Sequence, residues 1–282
     1  LMNYFQILKL ASKKLKLNNI DSHIIDSELI LSYTLNLPRE KILTNLDKNI
    51  NFKNFKKYIK LLSRREKKEP TAYIIKKKEF WKNNFYINSN VLIPRNETEL
   101  IVEEVLKKMD TNSSKRILEI GTGSGCIIIS IMKERPNCIA TAIDISKKAL
   151  NIAKFNAKIH HLINKINFIN IDIDKINDSN YDFIISNPPY INAFDLSRLD
   201  VSVRSFEPHI ALEAGIDGFR EIKKLIIKSK KLLKKNGKLI FEIGKNQCMK
   251  TKKILRENGY YINHVINDIS SIPRVIVSTK IN

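Results

Sequence analysis

The hydrophobic pattern of the chain changes character twice. Up to about residue 72, apolar residues recur every three or four positions: Ile25, Leu29 and Tyr33 follow the capping pair Asp21-Ser22, and Phe52, Phe55, Ile59 and Leu62 precede Pro70. This spacing predicts amphipathic helices, with Pro38 opening one of them near its first turn and Pro70 ending the last. From 73 to 98 the pattern shortens to aromatic and β-branched runs. EFWK (79–82) and FYIN (85–88) flank Asn83-Asn84, which predicts a hairpin turning at the asparagines. Pro94 then breaks the following strand, and the acidic residues after it open a helix through about Met109.

Beyond Ser114 short apolar runs alternate with helical patterns. Strands are predicted at 116–120, 139–144, 166–170, 181–186 and 238–243, with helices from Gly125, from Ser146 to about His160, from near Asp217 to Lys235, and over 247–258. Two β-rich runs, 260–266 and 274–279, close the chain. The alternation predicts an α/β fold: a mostly parallel, Rossmann-like sheet with an antiparallel strand pair at its C-terminal end, preceded by a small helical domain. The expected division is 1–72 helical, 73–98 a hairpin linker, and 99–282 the sheet domain. In such sheets ligands bind at the carboxyl ends of the strands.

Composition narrows the setting. With 282 residues, 43% hydrophobic and 28% charged, the chain can bury a large core. Its apolar runs fall far short of the ~20 residues that cross a bilayer, and its start lacks a signal-peptide pattern, so no membrane partner and a cytoplasmic setting are expected. Cys126, Cys138 and Cys248 are too scattered for a disulfide framework or a metal cluster, and no metal is expected. A formal charge of +21 would ordinarily point to nucleic acid. Lys, Asn and Ile, however, crowd surface and core positions alike, so the charge locates no site and does not require a nucleic-acid partner.

Two loops carry chemistry. Gly121-Thr122-Gly123-Ser124-Gly125 follows a strand and opens a helix, where glycines allow a tight turn and close approach of a ligand to backbone amides. Asp144 ends the next strand, near the ~20-residue spacing at which an acid accepts hydrogen bonds from a ribose. Together they point to an adenosine-type cofactor. A dinucleotide fingerprint shares this plan but needs a third glycine where Cys126 stands; glycines serving only a strand-helix turn remain the plain alternative. Glu119, just before the loop, either contacts an amino group of the cofactor or simply ends its strand.

The second loop, Asn187-Pro188-Pro189-Tyr190, ends an apolar run. Neither proline donates a backbone hydrogen bond and both fix φ, so Asn187 sits on a stiff edge. If the cofactor is S-adenosylmethionine, its methyl is already activated and the protein must aim a nucleophile. An amide or arylamine nitrogen is a poor nucleophile. The side-chain oxygen of Asn187 and the carbonyl of Pro188 can accept its two N–H groups and turn it, while Tyr190 offers a flat wall.

These motifs carry a resemblance. NPPY (187–190) resembles the signature of amino-group methyltransferases. LIPRNETE (92–99), LEIGTGSG (118–125), EPHIAL (207–212) and DISSIPRV (268–275) resemble those of the release factor glutamine methyltransferases, over nearly the whole chain. The resemblance implies a class I S-adenosylmethionine-dependent fold, a helical substrate-recognition domain, and methyl transfer to the side-chain nitrogen (N5) of the glutamine in the Gly-Gly-Gln loop of class I peptide chain release factors. It implies cofactor contacts at Gly121, Thr122, Gly123, Ser124, Gly125, Asp144 and Asn187. Asn187, Pro188, Pro189 and Tyr190 would hold the glutamine, with Asn187, Pro188 and Tyr190 catalytic. Arg95 and Glu97 either line the substrate side or form a structural pair. Two positions depart from the family: Asn96 replaces a usual second proline, loosening its loop, and Ile173 replaces a frequent aromatic beside the adenine. A base-directed methyltransferase uses a similar Asn-Pro-Pro device, and a basic module without turnover is the non-enzymatic alternative.

Overall fold

A computed structural model describes residues 2–281. The chain forms two compact units, one running to Lys77 and taking in Asp200–Phe206, the other built from Lys78–Leu199 and Glu207 onward.

In the first unit, α1 (Tyr4–Leu17) opens with a capping box in which Asn3 and Gln6 each accept the other's backbone N–H. It is followed by α2 (His23–Leu35), α3 (Arg39–Leu43), α4 (Phe52–Glu66) and α5 (Thr71–Ile75). The helices form as expected, but two of their buried faces do not. On α2 the core side runs through Ser27, Ile30, Leu31 and Thr34, while Ile25 is 45% and Tyr33 37% exposed. On α4 Tyr58 and Leu62 are buried, whereas Phe52 and Ile59 face solvent. The physical reason is satisfied polarity. Ser27 and Thr34 donate their hydroxyls to the carbonyls of Ile24 and Ile30, and the Tyr58 hydroxyl donates to the Ser27 carbonyl. Asp26 accepts from Arg65 at 2.8 Å. Polar groups that bring their own partners can be buried at little cost.

The second unit begins with a hairpin of β1 (Lys77–Phe80) and β2 (Asn83–Tyr86). Its turn falls at Trp81-Lys82, two residues before the expected Asn83-Asn84, and Trp81 adopts φ +54°. Two bonds fix this left-handed tryptophan: its N–H donates to Glu99 and its indole to Glu134. The walk then runs α6 (Glu99–Lys107), β3 (Arg116–Ile120), α7 (Cys126–Glu134), β4 (Ile139–Asp144), α8 (Lys147–Ile159), β5 (Ile166–Asn170) and β6 (Tyr181–Ser186). The short helix α9 (Ala193–Leu196) follows; α10 (Val201–Arg204) falls in the segment that belongs to the first unit, and the second resumes with α11 (Arg220–Leu232), β7 (Leu233–Glu242), α12 (Cys248–Glu257), β8 (Tyr260–Asn267) and β9 (Pro273–Lys280).

The seven-stranded sheet has the order β5-β4-β3-β6-β7-β9-β8. The strands from β3 to β7 pair in parallel, and β9 inserts antiparallel between β7 and β8. The parallel sheet with its antiparallel C-terminal pair is therefore as the alternation of elements predicts. Strand residues alternate between two apolar layers. Ile117, Phe183, Ile185 and Ile240 pack with α6 and α7, while Leu118, Ile184, Leu239 and Phe241 pack with α11 and α12. No helix among the described residues is long and apolar enough to cross a membrane.

One buried amide locks the hairpin to the sheet domain. Asn156 on α8, 0% exposed, accepts from the Tyr86 N–H and donates to the carbonyls of Tyr86 and Ser124. Asn156→Ala strands these groups and is expected to cost about 2–4 kcal/mol of stability. Urea unfolding of the two proteins checks this; an unchanged midpoint would contradict it.

Candidate active site

The strand order reverses between β3 and β6, and here the sheet builds its site. The register sets Ile120 beside Ser186, so the residues that follow, Gly121 and Asn187, leave the sheet side by side. A cavity of about 390 Å³ opens at this edge, a size suited to a small ligand. Its lining includes Gly121, Thr122, Gly123, Ser124, Asp144, Asn187, Pro188 and Pro189. Tyr190 stands beside the lining, its hydroxyl 3.2 Å from Glu242 and its carbonyl accepting from Gln247. Gly125 is not part of the lining.

The three loop glycines have distinct reasons. All adopt φ between +55° and +80°. At Gly121 and Gly123 a Cβ would meet nothing within 4 Å, so these glycines leave the backbone bare where a ligand can approach. At Gly125 a Cβ would press on Ile129 at 2.9 Å and Ala153 at 3.2 Å, so this glycine serves the packing of α7 on α8.

Asp144, at the end of β4, braces the loop: its carboxylate accepts from the N–H groups of Gly123 at 2.9 Å and Ser146 at 2.8 Å. Burial raises its pKa, and these two bonds work against that rise. Glu119 is 1% exposed beneath the loop, with Thr122 donating to one oxygen and no hydrogen-bond partner at the other. Burial, with Asp144 nearby, pushes it up to about 8. The Cys126 thiol, also on the lining, is pushed up to about 12 by burial and stays protonated.

Asn187 is held from behind. Its Nδ2 donates to the Thr98 hydroxyl at 3.1 Å, and that hydroxyl donates to Glu242 at 2.6 Å. Burial pushes Glu242 up to about 7. Thr98 lies within LIPRNETE but nothing in the motif gives it a role, and no motif marks Glu242, which shares with Asp144 only a place at the end of an apolar strand. Arg95 pairs with Glu207, not Glu97, at 2.5 Å, and Glu207 also accepts from the Ile93 N–H. These bonds tie LIPRNETE to EPHIAL and stiffen the loop in which Asn96 opens a 3₁₀ turn. The EPHIAL segment bridges in turn to the residue after NPPY, with the Ile191 N–H donating to the Leu212 carbonyl. Ile173 lines the cavity and is 8% exposed, an aliphatic surface next to Asp172.

Comparison with known proteins bears on this geometry. Residues 6–75 match a PrmC N-terminal domain and residues 97–202 a methyltransferase small domain. The chain is 32% identical to a release factor glutamine methyltransferase of Clostridium acetobutylicum, over 96% of both chains. The chain belongs to the release factor glutamine methyltransferase family. It is also 36% identical to a bifunctional methyltransferase of Rickettsia felis, covering 98% of this chain but 58% of that protein, so it spans a little over half the length of such relatives. A methyltransferase structure from Pyrococcus furiosus shares the fold, at 16% identity and a TM-score of 0.52 over 70% of this chain and 89% of that one.

The residues present fit S-adenosylmethionine. Two bare glycines face a cavity of suitable size, an acid ends the adjoining strand, and a buried carboxyl oxygen below the loop lacks a partner.

Glu119 gives a pH test. Its folded pKa lies near 8 against an ordinary 4.5, so between these values the folded protein holds more protons than the unfolded one and loses stability as pH rises. Glu119→Gln, neutral throughout, should show a flatter curve of stability between about pH 5 and 8. Urea titrations across that range check this; parallel curves for the two proteins would contradict it.

Proposed function

We propose that the protein transfers a methyl group from S-adenosylmethionine to the side-chain amide nitrogen, N5, of the glutamine in the Gly-Gly-Gln loop of class I peptide chain release factors. The observation that carries this reading is the orientation of Asn187 on the cavity wall: its NH₂ is engaged by Thr98, which leaves its oxygen as the acceptor on the other side. When bound, S-adenosylmethionine supplies a methyl group activated by its sulfonium.

The chain's own groups handle the amide. Asn187 Oδ1 and the Pro188 carbonyl accept its two N–H groups, fixing the plane of the amide so that the nitrogen lone pair, which lies perpendicular to that plane, faces the cofactor side of the cavity. Pro188 and Pro189 keep the two acceptors at fixed spacing. Tyr190, pinned at its hydroxyl by Glu242, closes the side of the slot. No strong general base is needed, because the N-methylated amide cation that forms when the neutral nitrogen takes the methyl is acidic enough to lose its proton to water. Gly121 to Ser124, with Asp144, would hold the cofactor, the acid receiving the ribose hydroxyls alongside the amides it already binds, while Gly125 packs the loop onto α8. The reaction belongs to the cytoplasm, where release factors act, and needs neither nucleic acid nor metal.

Peptide mass spectrometry of a class I release factor incubated with the protein and S-adenosylmethionine tests this. One added methyl on the Gly-Gly-Gln glutamine is expected. Its absence in a preparation that binds the cofactor would turn the search to nucleic acids. Asn187→Ala should abolish turnover yet leave cofactor affinity within about tenfold, because the lost bond is to the substrate amide. Asp144→Ala should instead weaken cofactor binding by roughly 10- to 150-fold, the loss of a charge-assisted bond of about 1.5–3 kcal/mol. Calorimetry separates the two effects, and an unchanged dissociation constant for Asp144→Ala would contradict its assignment to the ribose.

A further inference from the structure

Resting on the function proposed above, we infer that Glu242 fixes which way round the Asn187 amide sits, acting through the hydroxyl of Thr98, and that both are positioning residues for the nitrogen to be methylated. The inference follows from counting hydrogens. The Thr98 hydroxyl has one, and it lies 2.6 Å from Glu242 Oε2. Above its raised pKa of about 7 Glu242 is ionised and its carboxylate only accepts, so that hydrogen points to Glu242. Thr98 can then offer Asn187, at 3.1 Å, nothing but lone pairs. The end of the Asn187 amide that faces Thr98 is therefore NH₂, and its oxygen faces the other way.

The consequence is chemical. A glutamine side-chain nitrogen carries two hydrogens and must be met by acceptors. An Asn187 turned round would meet it with a second NH₂, donor against donor, and the lone pair would not be aimed. One hydrogen on Thr98 thus decides whether the wall of the site accepts or repels the substrate amide. The surroundings leave that hydrogen little choice. Thr98 is 2% and Glu242 1% exposed, so water does not compete for it, and the second carboxylate oxygen is occupied by the Tyr190 hydroxyl at 3.2 Å. Register supplies the placement: β7 pairs with β6 so that Phe241 lies beside Ser186, bringing Glu242 level with Asn187. Glu242 is in this way bonded to both LIPRNETE and NPPY.

Three substitutions and two readouts test the inference. Thr98→Val keeps the side chain's shape and removes the hydroxyl, Thr98→Ser restores the hydroxyl, and Glu242→Gln removes the obligatory acceptor. With a release factor as substrate, Thr98→Val and Glu242→Gln should lower kcat by about 10- to 100-fold while KM and cofactor Kd stay within about threefold, and Thr98→Ser should recover activity to within about threefold. A role in packing alone would leave valine as good as serine or would move KM and kcat together, and either result overturns the inference.

The second readout needs no turnover: solvent exchange of the Asn187 side-chain NH₂, followed by NMR and assigned by its loss in Asn187→Asp. Slow exchange in the natural protein, accelerated in Thr98→Val and in Glu242→Gln, is expected. Equal exchange in all three overturns the inference. A natural protein that shows the protected NH₂ but methylates no release factor would instead sink the proposed substrate and leave the orientation of Asn187 standing.

Discussion

The site depends on one pairing, the parallel ladder between β3 and β6 at the point where the chain turns back across its own sheet. Neighbouring strands lie about 4.8 Å apart. Setting Ile120 beside Ser186 therefore sends the glycine loop and the Asn-Pro-Pro-Tyr loop off the same edge at adjacent positions. The ladders on either side extend the edge: β4 delivers Asp144 and β7 delivers Glu242. A slip of one residue in any of these ladders would swap the buried faces of the strand and carry its terminal residue out of the site. The apolar layers on both faces of the sheet thus set the geometry of the site as well as the stability.

Three carboxyl groups, Glu119, Asp144 and Glu242, end three of these strands or stand next to their ends, and each is less than a tenth exposed. Burying them costs stability, and the raised pKa of each records that cost. What offsets it is a set of donors, each contributed by a loop: Thr122 to Glu119, the Gly123 and Ser146 amides to Asp144, Thr98 and Tyr190 to Glu242. Loops that would otherwise move are fastened to the rigid sheet by the same bonds. This also answers the loss of a proline at Asn96. The neighbouring Arg95–Glu207 and Thr98–Glu242 bonds hold that loop from both sides, so its stiffness does not rest on ring geometry alone.

Much of this was legible in the sequence wherever the signal was local. The strands of the sheet and both loops are written in contiguous residues, and the pattern of the sequence puts each loop at its strand end. The hairpin turn was not, because Trp81 is held in a left-handed conformation by Glu99 and Glu134, acids far along the chain. The buried faces of α2 and α4 were misplaced for a related reason: Ser27, Thr34 and Asp26 look exposed by type, and only their partners make them core. How the supports of the site pair has no local pattern, even where a residue such as Arg95 stands in a recognisable motif. Thr98 and Glu242 meet across 144 residues, Arg95 and Glu207 across 112, and Asn156 reaches Tyr86 across 70. Such pairs exist only once the sheet has formed.

The central claim is that this edge holds a glutamine amide between Asn187 and Pro188, beside the cofactor loop. The measurement that tests it most directly is a crystal structure of the protein with S-adenosylhomocysteine and a peptide carrying Gly-Gly-Gln. The account predicts the glutamine side-chain nitrogen at about 2.9 Å from both Asn187 Oδ1 and the Pro188 carbonyl, with the Asn187 NH₂ still on Thr98. A glutamine bound elsewhere, or an Asn187 whose oxygen faces Thr98, would contradict it.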